Sequence, residues 1–196
     1  LASIHMNVPV AHIQAGELSG HIDGVIRHSI TKLSTIHFSS NHDAYNRVIK
    51  FGEQKDTVFN VGAPQIDDML DIDKLDHNIK SKYGLIKDKM LFLVVNHPVH
   101  EEENTSDNVC HIMDAIFSLK EYEDNELEIL VILPNSDSNT SKILSVYEEI
   151  KKNYKNIKFI PSLPRVDYLS LLYKCNLLIG NSSSGFFEAP LLKTPT

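Results

Sequence analysis

The chain has 196 residues, 42% hydrophobic and 23% charged, with 19 basic against 26 acidic residues and a formal net charge of −7. That length buries the core of one large or two small globular domains. The acidic balance, with no Lys/Arg run longer than a pair, argues against a nucleic-acid backbone binder. No apolar run approaches the ~18 residues of a membrane span. Leu1–Val10 lacks the basic stretch of a signal peptide, so a cytoplasmic protein without membrane partners is expected. Cys110 and Cys175 have no metal-ligand spacing and read as free thiols in a reducing compartment. With no initiator Met, and with Lys193-Thr-Pro-Thr196 stopping where another strand could begin, the sequence reads as a fragment of a longer chain.

In chain order, short apolar runs alternate with longer amphipathic ones, the pattern of βα units on parallel sheets. Val8–Gln14, Ile36–Ser40 and Thr57–Val61 read as strands. Between the first two, Ile22, Val25, Ile26, Ile30 and Leu33 recur with helical period. A second helix, Asp43–Phe51, precedes the third strand. After Gly62-Ala-Pro64 the composition turns polar and acidic through Asp88, and residues 67–88 read as a helical linker between domains spanning 1–66 and 89–196. In the second domain the strands are Met90–Val95, Glu128–Leu133, Ile157–Ile160 and Leu177–Ile179. The helices are Asn108–Leu119, Ser141–Lys152, Val166–Tyr173 and Phe186–Leu192. Near-continuous Val/Leu/Ile strands imply sheets covered on both faces. In such folds ligands sit at the carboxyl ends of the strands, and two domains of this kind place a cleft there.

Gly180-Asn-Ser-Ser-Ser-Gly185 follows the last strand and opens a helix. Hydroxyls, small glycines and outward-pointing N–H groups at a helix start suit phosphate. The plainer alternative is that one serine is only an N-cap. The loop is one residue too long for a Gly-x-Ser-x-Gly nucleophile elbow. Phe186 stands where a Walker loop needs Lys, so phosphate binding without triphosphate hydrolysis is expected. Ser182, Ser183 and Gly185 are the candidates there. Glu188, in the first turn of the following helix, could accept from a ribose diol or merely complement the helix dipole.

His97 ends the strand before Pro98, at a carboxyl end, where an imidazole suits acid–base work or pyrophosphate contact. Asn135 and Asp137 follow another strand on the same side, although turn chemistry explains them equally. Glu17 follows the first strand, and Asp23, Arg27 and His28 lie in the next helix. Acid–base chemistry with two carboxyls needs them in different environments. The alternative for Asp23 alone is an i,i+4 pair with Arg27. Among the ten histidines, none pairs with another ligand at zinc spacing, so no metal and no cofactor is expected.

Four strings appear in order: Ala15-Gly-Glu-Leu-Ser-Gly-His-Ile-Asp-Gly-Val-Ile-Arg-His-Ser-Ile-Thr-Lys32, Val58-Phe-Asn-Val-Gly62, Asn96-His-Pro-Val99 and Gly180-Asn-Ser-Ser-Ser-Gly185. Together they resemble the hydrolysing UDP-N-acetylglucosamine 2-epimerases of sialic-acid biosynthesis. The resemblance implies a GT-B-like α/β pair of Rossmann-type domains with parallel sheets, both incomplete in this sequence. It implies elimination of UDP from a UDP-sugar substrate to a 2-acetamidoglucal, then hydration to N-acetylmannosamine. On that resemblance Glu17 and Asp23 match the acid–base carboxylates, Arg27 a sugar contact, and His97 the residue assisting the departing diphosphate. Ser182 and Ser183 match the phosphate-binding serines and Glu188 the ribose contact; His28, Asn135 and Gly185 complete the expected binding set. Enzymes of this kind often dimerise, and a homo-oligomer is expected. Related enzymes making legionaminic-type sugars take a UDP- or GDP-linked 2,4-diacetamido-trideoxyhexose. A GT-B glycosyltransferase would share the phosphate loop but depend on an added acceptor.

Overall fold

The structure is a computed structural model describing residues 1–67, 69, 74–98, 105–134 and 140–196. The expected site residues Asn135 and Asp137 lie outside the described residues. The chain divides into two compact units, residues 1–70 and 71–196.

The first unit runs α1 (Ala2–His5), β1 (Ala11–Ile13), α2 (His21–Lys32), β2 (Ile36–Ser39), α3 (His42–Lys50), a 3₁₀ turn (Lys55–Thr57), β3 (Val58–Asn60) and α4 (Pro64–Asp67). The strands form a parallel sheet in the order β1-β2-β3. β1 is shorter than the expected Val8–Gln14. Val8 is exposed, and Gln14 turns into the left-handed region at φ 60°, which ends the pairing. α3 starts where the Asn41 side chain accepts from the Ala44 N–H at 2.8 Å, an N-cap worth about 1 kcal/mol. Its buried face seats Val48 against Ala15 and Val58.

α2 has the expected period but not the expected face. Ile22, Val25, Ile26, Ile30 and Leu33 are exposed, while Gly24 and Thr31 are buried and Arg27 and His28 half-buried. The reason lies in the sheet below. His12 and His37 stand side by side on β1 and β2, both buried, and a polar helix face serves them. The Thr31 hydroxyl lies 3.1 Å from His12 Nδ1 and donates to the Arg27 carbonyl. Burial, together with its neighbours His37 and Arg27, pushes the His12 imidazole below its ordinary value. Burial does the same to His37, partly opposed by Glu53, whose carboxylate lies 3.5 Å away.

The second unit contains α5 (Ile79–Lys82), β4 (Met90–Val95), α6 (Thr105–Phe117), α7 (Lys120–Glu123), β5 (Leu127–Ile132), α8 (Thr140–Asn153), β6 (Ile157–Ile160), α9 (Arg165–Lys174), β7 (Leu177–Gly180), α10 (Ser184–Phe187) and α11 (Ala189–Leu192). Its parallel sheet has the order β6-β5-β4-β7. Leu91, Leu93, Leu127, Ile129 and Leu130 are fully buried, as the continuous apolar runs require. α6 and α8 contribute Val109, Met113, Ile143 and Tyr147 to one core cluster. Within it the Tyr147 hydroxyl is buried without a hydrogen-bond partner among the described residues.

The polar segment read as a linker packs on the second unit from Lys74 onward. Leu75, Ile79 and Leu85 are buried. Lys82 Nζ meets both Asp167 carboxylate oxygens at 2.7 and 2.9 Å, and the Tyr83 hydroxyl donates to the same group. Those donors hold the Asp167 carboxyl below its usual range, and the hydrogen bond to Asp167, helped by burial and by the carboxylate's charge, pushes the Tyr83 phenol up to about 12. The expected helix Phe186–Leu192 is two short turns instead, because Pro190 cannot donate within a continuous helix and begins a new one.

Candidate functional site

In the second unit the chain steps from β4 to β5 to β6 on one side, then returns to place β7 on the other side of β4. The strand order therefore reverses beside β4, the position where doubly wound sheets open a crevice at their carboxyl ends. His97 follows β4 there, and the serine loop follows β7.

The loop is held to the end of β4 by main-chain and side-chain bonds. Gly180 has φ 138°, a region open to glycine, and a Cβ there would lie 2.6 Å from the Val95 carbonyl carbon. That close approach lets the Asn181 N–H reach the Val95 carbonyl at 3.2 Å. The Asn181 side chain then clamps His97 from both sides. Its Oδ1 accepts from the His97 N–H and its Nδ2 donates to the His97 carbonyl, each at 2.8 Å. Asn181 thus fixes the backbone that aims the imidazole.

Around this clamp lies a cavity of about 380 Å³ lined by His97, Ser182, Ser183, Ser184, Tyr168 and Glu188, with Leu133, Pro161 and Leu163 as its apolar side. Ser182 Oγ lies 3.1 Å from Ser184 Oγ, which is bonded in turn to the Tyr168 hydroxyl. Burial drives the Tyr168 phenol up, as does the nearby Glu188 charge, so it stays a neutral donor. Glu188 is buried at the α10–α11 junction, not in the first turn of a long helix, and its Oε1 accepts from Arg165 Nη1 at 3.2 Å. Because α10 is a single turn, any anion here relies on hydroxyls and N–H groups more than on a helix dipole. The N–H groups of Ser182 and Ser183 make no hydrogen bond among the described residues. Ser183 occupies the N-cap position without a side-chain capping bond, which weakens the reading of that serine as only a cap. Gly185 lines a separate cavity of about 720 Å³ with Ser182 and the exposed Phe186.

In the first unit, Asp23 and Arg27 border a cavity of about 360 Å³ with His12 and Gln14 at the end of β1. Among the described residues no ion pair joins Asp23 to Arg27, so the simple i,i+4 alternative does not hold. Glu17 sits in the turn after β1. Its Oε1 accepts from Asn41 Nδ2 at 3.2 Å, and Arg47 donates to the Gly16 carbonyl. Gly16 has φ 82°, and a Cβ there would lie 2.7 Å from Val48 Cγ2, so the turn can pack on α3 only through glycine. His28 does not join Asp23 and Arg27. It turns toward the α3 end, edge-on to Phe51 with ring centroids 4.8 Å apart, which is a packing position.

Sequence reasoning missed Asn181, Tyr168, Arg165, Asn41 and Arg47. Arg165 and Tyr168 begin the helix after β6, a strand end that the rule of carboxyl-end sites covers; the two asparagines act through contacts that no spacing reveals. Among the described residues no His/Cys/Asp/Glu group could hold a metal ion, and no helix is long and apolar enough to cross a membrane.

Parallel sheets, one of them with a reversal point, define a doubly wound α/β fold. Solved structures agree. The UDP-GlcNAc 2-epimerase from Neisseria meningitidis bound to UDP-GlcNAc superimposes with a TM-score of 0.80 at 18% identity, over 99% of this chain and 53% of that one. The Methanocaldococcus jannaschii UDP-GlcNAc 2-epimerase in complex with UDP-GlcNAc and UDP gives 0.70 at 22% identity, over 98% and 54%. Both are GT-B-like folds. The sequence profile described as UDP-N-acetylglucosamine 2-epimerase matches residues 1–196, and the chain belongs to that family. It is 37% identical over 193 residues to a UDP-N-acetylglucosamine 2-epimerase of Neisseria meningitidis serogroup B, covering 95% of this chain and 48% of that protein. It is 32% identical over 191 residues to a hydrolysing UDP-N,N'-diacetylbacillosamine 2-epimerase of Legionella pneumophila, covering 96% and 49%. The chain spans about half the length of these relatives.

Proposed function

We propose that this chain carries the nucleotide site and acid–base carboxylates of a hydrolysing 2-epimerase that converts UDP-N-acetylglucosamine to N-acetylmannosamine and UDP. A carboxylate takes the C2 proton, the C1–O bond breaks anti to it, and UDP departs, leaving 2-acetamidoglucal. Water then adds across the double bond, hydroxyl to C1 and proton to C2, and the ring opens to the free sugar. The observation that carries the reading is the Asn181 clamp, which holds the His97 backbone beside Ser182 and Ser183 at one cavity. That arrangement suits a leaving diphosphate. Glu17 and Asp23 supply the acid–base pair on the first unit, in the different surroundings such a pair needs: one held by Asn41, the other beside Arg27 in an open cavity. Glu188, fixed by Arg165, takes the ribose diol, and Tyr168 orients the serines. No cofactor enters the scheme, and a cytoplasmic setting fits a nucleotide-sugar substrate.

Proton NMR with UDP-N-acetylglucosamine in heavy water tests it. Free N-acetylmannosamine deuterated at C2, with UDP released, is the expected outcome; intact UDP-N-acetylmannosamine identifies the non-hydrolysing reaction, and an unchanged spectrum removes this substrate. A second reading keeps the chemistry and changes the sugar. The Legionella pneumophila and Campylobacter jejuni relatives are named as N,N'-diacetylbacillosamine 2-epimerases, which favours a UDP- or GDP-linked 2,4-diacetamido-trideoxyhexose as the next compound to try.

A further inference from the structure

The first turn of α9 carries Arg165 and Tyr168, two of the side chains that shape the serine-loop site, yet little within that turn holds it. Pro164, at the N-cap position, makes no side-chain capping bond, and Pro164, Arg165 and Val166 are all exposed. A helix start in that state frays readily. Asp167 is the first buried residue of the helix, and its carboxylate is held from outside α9. Lys82 Nζ meets both of its oxygens, and the Tyr83 hydroxyl donates to one of them. Neither Lys82 nor Tyr83 lines the cavity. The segment that brings them is itself pinned. The Asp76 N–H donates to Ser170 Oγ at 2.9 Å, and Ser170 Oγ donates to the Val166 carbonyl at 2.7 Å. Lys158 Nζ donates to the carbonyls of Tyr83 and Gly84, and Ile79 is fully buried.

We infer that Asp167 is a positioning residue for the nucleotide site: gripped by Lys82 and Tyr83, it fixes the first turn of α9, and with it the reach of Arg165 to Glu188 and of Tyr168 to Ser184. The inference rests on the proposed reading of that cavity as the nucleotide site. Arg165 Nη1 lies 3.2 Å from Glu188 Oε1, and the Tyr168 hydroxyl is bonded to Ser184 Oγ. Asp167 stands between the two in sequence, so whatever moves it moves both. Without Lys82 its carboxylate is left buried and short of a counter-charge, which is costly. It regains water by turning the start of α9 outward. That movement draws Arg165 off Glu188 and Tyr168 off the serine it orders. The polar segment before β4 therefore does more than join two units: it sets the helix end on which the ribose and phosphate contacts depend.

Isothermal titration of the full-length protein with UDP reads the outcome. Lys82→Met weakens UDP about tenfold, the order of one lost charged hydrogen bond, with the far-UV circular dichroism unchanged. Lys82→Arg, which presents two donors to the same carboxylate, restores the affinity to within about threefold of wild type. Tyr83→Phe removes one donor and no charge; it gives a smaller loss in the same direction and keeps the test where Lys82→Met unfolds. A merely stabilising ion pair would not show the next result. In a chain that already carries Arg165→Ala and Tyr168→Phe, Lys82→Met weakens UDP by less than about twofold more, because the contacts it acts through are gone. Wild-type protein that binds no UDP removes the nucleotide reading of the cavity and this assignment with it. Wild-type binding that both Lys82→Met and Tyr83→Phe leave intact, or a Lys82→Met loss that persists in full in the Arg165→Ala, Tyr168→Phe chain, overturns the assignment alone.

Discussion

Replacing Gly180 with alanine adds one methyl group at the joint between fold and site. Two costs combine. A φ of 138° excludes L side chains, and holding one there costs of order 1–3 kcal/mol. The new carbon would also lie 2.6 Å from the Val95 carbonyl carbon and 3.3 Å from its nitrogen, main-chain atoms fixed by pairing with β5 on the other side. Relief comes from lifting the end of β7 off β4, which gives up the Asn181–Val95 bond and one neighbouring ladder bond at about 1 kcal/mol each. Because Gly180 is the last residue of β7, the strand frays instead of dissociating, and the loss is about 3–5 kcal/mol. Urea unfolding followed by far-UV circular dichroism measures it, and hydrogen exchange localises it: amides at the ends of β4 and β7 lose protection while α3 keeps its own. A destabilisation under 1 kcal/mol, or lost protection spread over both units, refutes the reasoning.

Other outcomes follow from single groups. Tyr147→Phe removes a buried hydroxyl that has no hydrogen-bond partner among the described residues and raises stability by about 1 kcal/mol in the same urea experiment. Asn41→Asp keeps an acceptor for the Ala44 N–H but loses the donor to Glu17; the melting temperature stays within a degree or two while, on the proposed function, turnover of UDP-N-acetylglucosamine by the full-length protein falls at least tenfold. His12 and His37 have folded-state values below the unfolded 6.5, so the unfolded chain binds more protons as acid is added. Stability of the first unit is therefore full above about pH 7 and falls as the pH drops through 6.5 toward the lowered folded values. Urea midpoints at pH 7.5 and 5.5 show the drop, and His37→Gln makes it shallower.

The strands were legible because β4, β5 and β7 are nearly continuous apolar runs, broken only by Glu128 in β5, which leave little choice but burial on both faces. The helices were legible as helices, yet α2 shows where pattern stops. Its period is plain, but its inward face is chosen by two histidines on neighbouring strands, a pairing that no window of sequence contains. Pro190 announced a break that the apolar pattern of Phe186–Leu192 concealed. At the candidate site, His97, Ser182 and Ser183 could be found because strand ends and small-residue loops carry their own signal. Asn181 stood inside the quoted loop, but its part depends on reaching a backbone 84 residues away. Arg165 and Tyr168 become visible only once β6 is known to lie in the same sheet.

The return of the chain to β4 also sets an order in time. β4 can pair with β5 once the excursion through α6 and α7 is complete, whereas its contacts on the β7 side join groups 85 residues apart, as between Leu91 and Asn176. Loop closure over that span comes late, so the serine loop and its hold on His97 are the last parts of the sheet to assemble. An interaction absent from the folding transition state acts on the rate of leaving the native state, not of reaching it. On the proposed function, a nucleotide seated on this loop would therefore work as a latch, slowing unfolding of the second unit and leaving the rate of folding as it was.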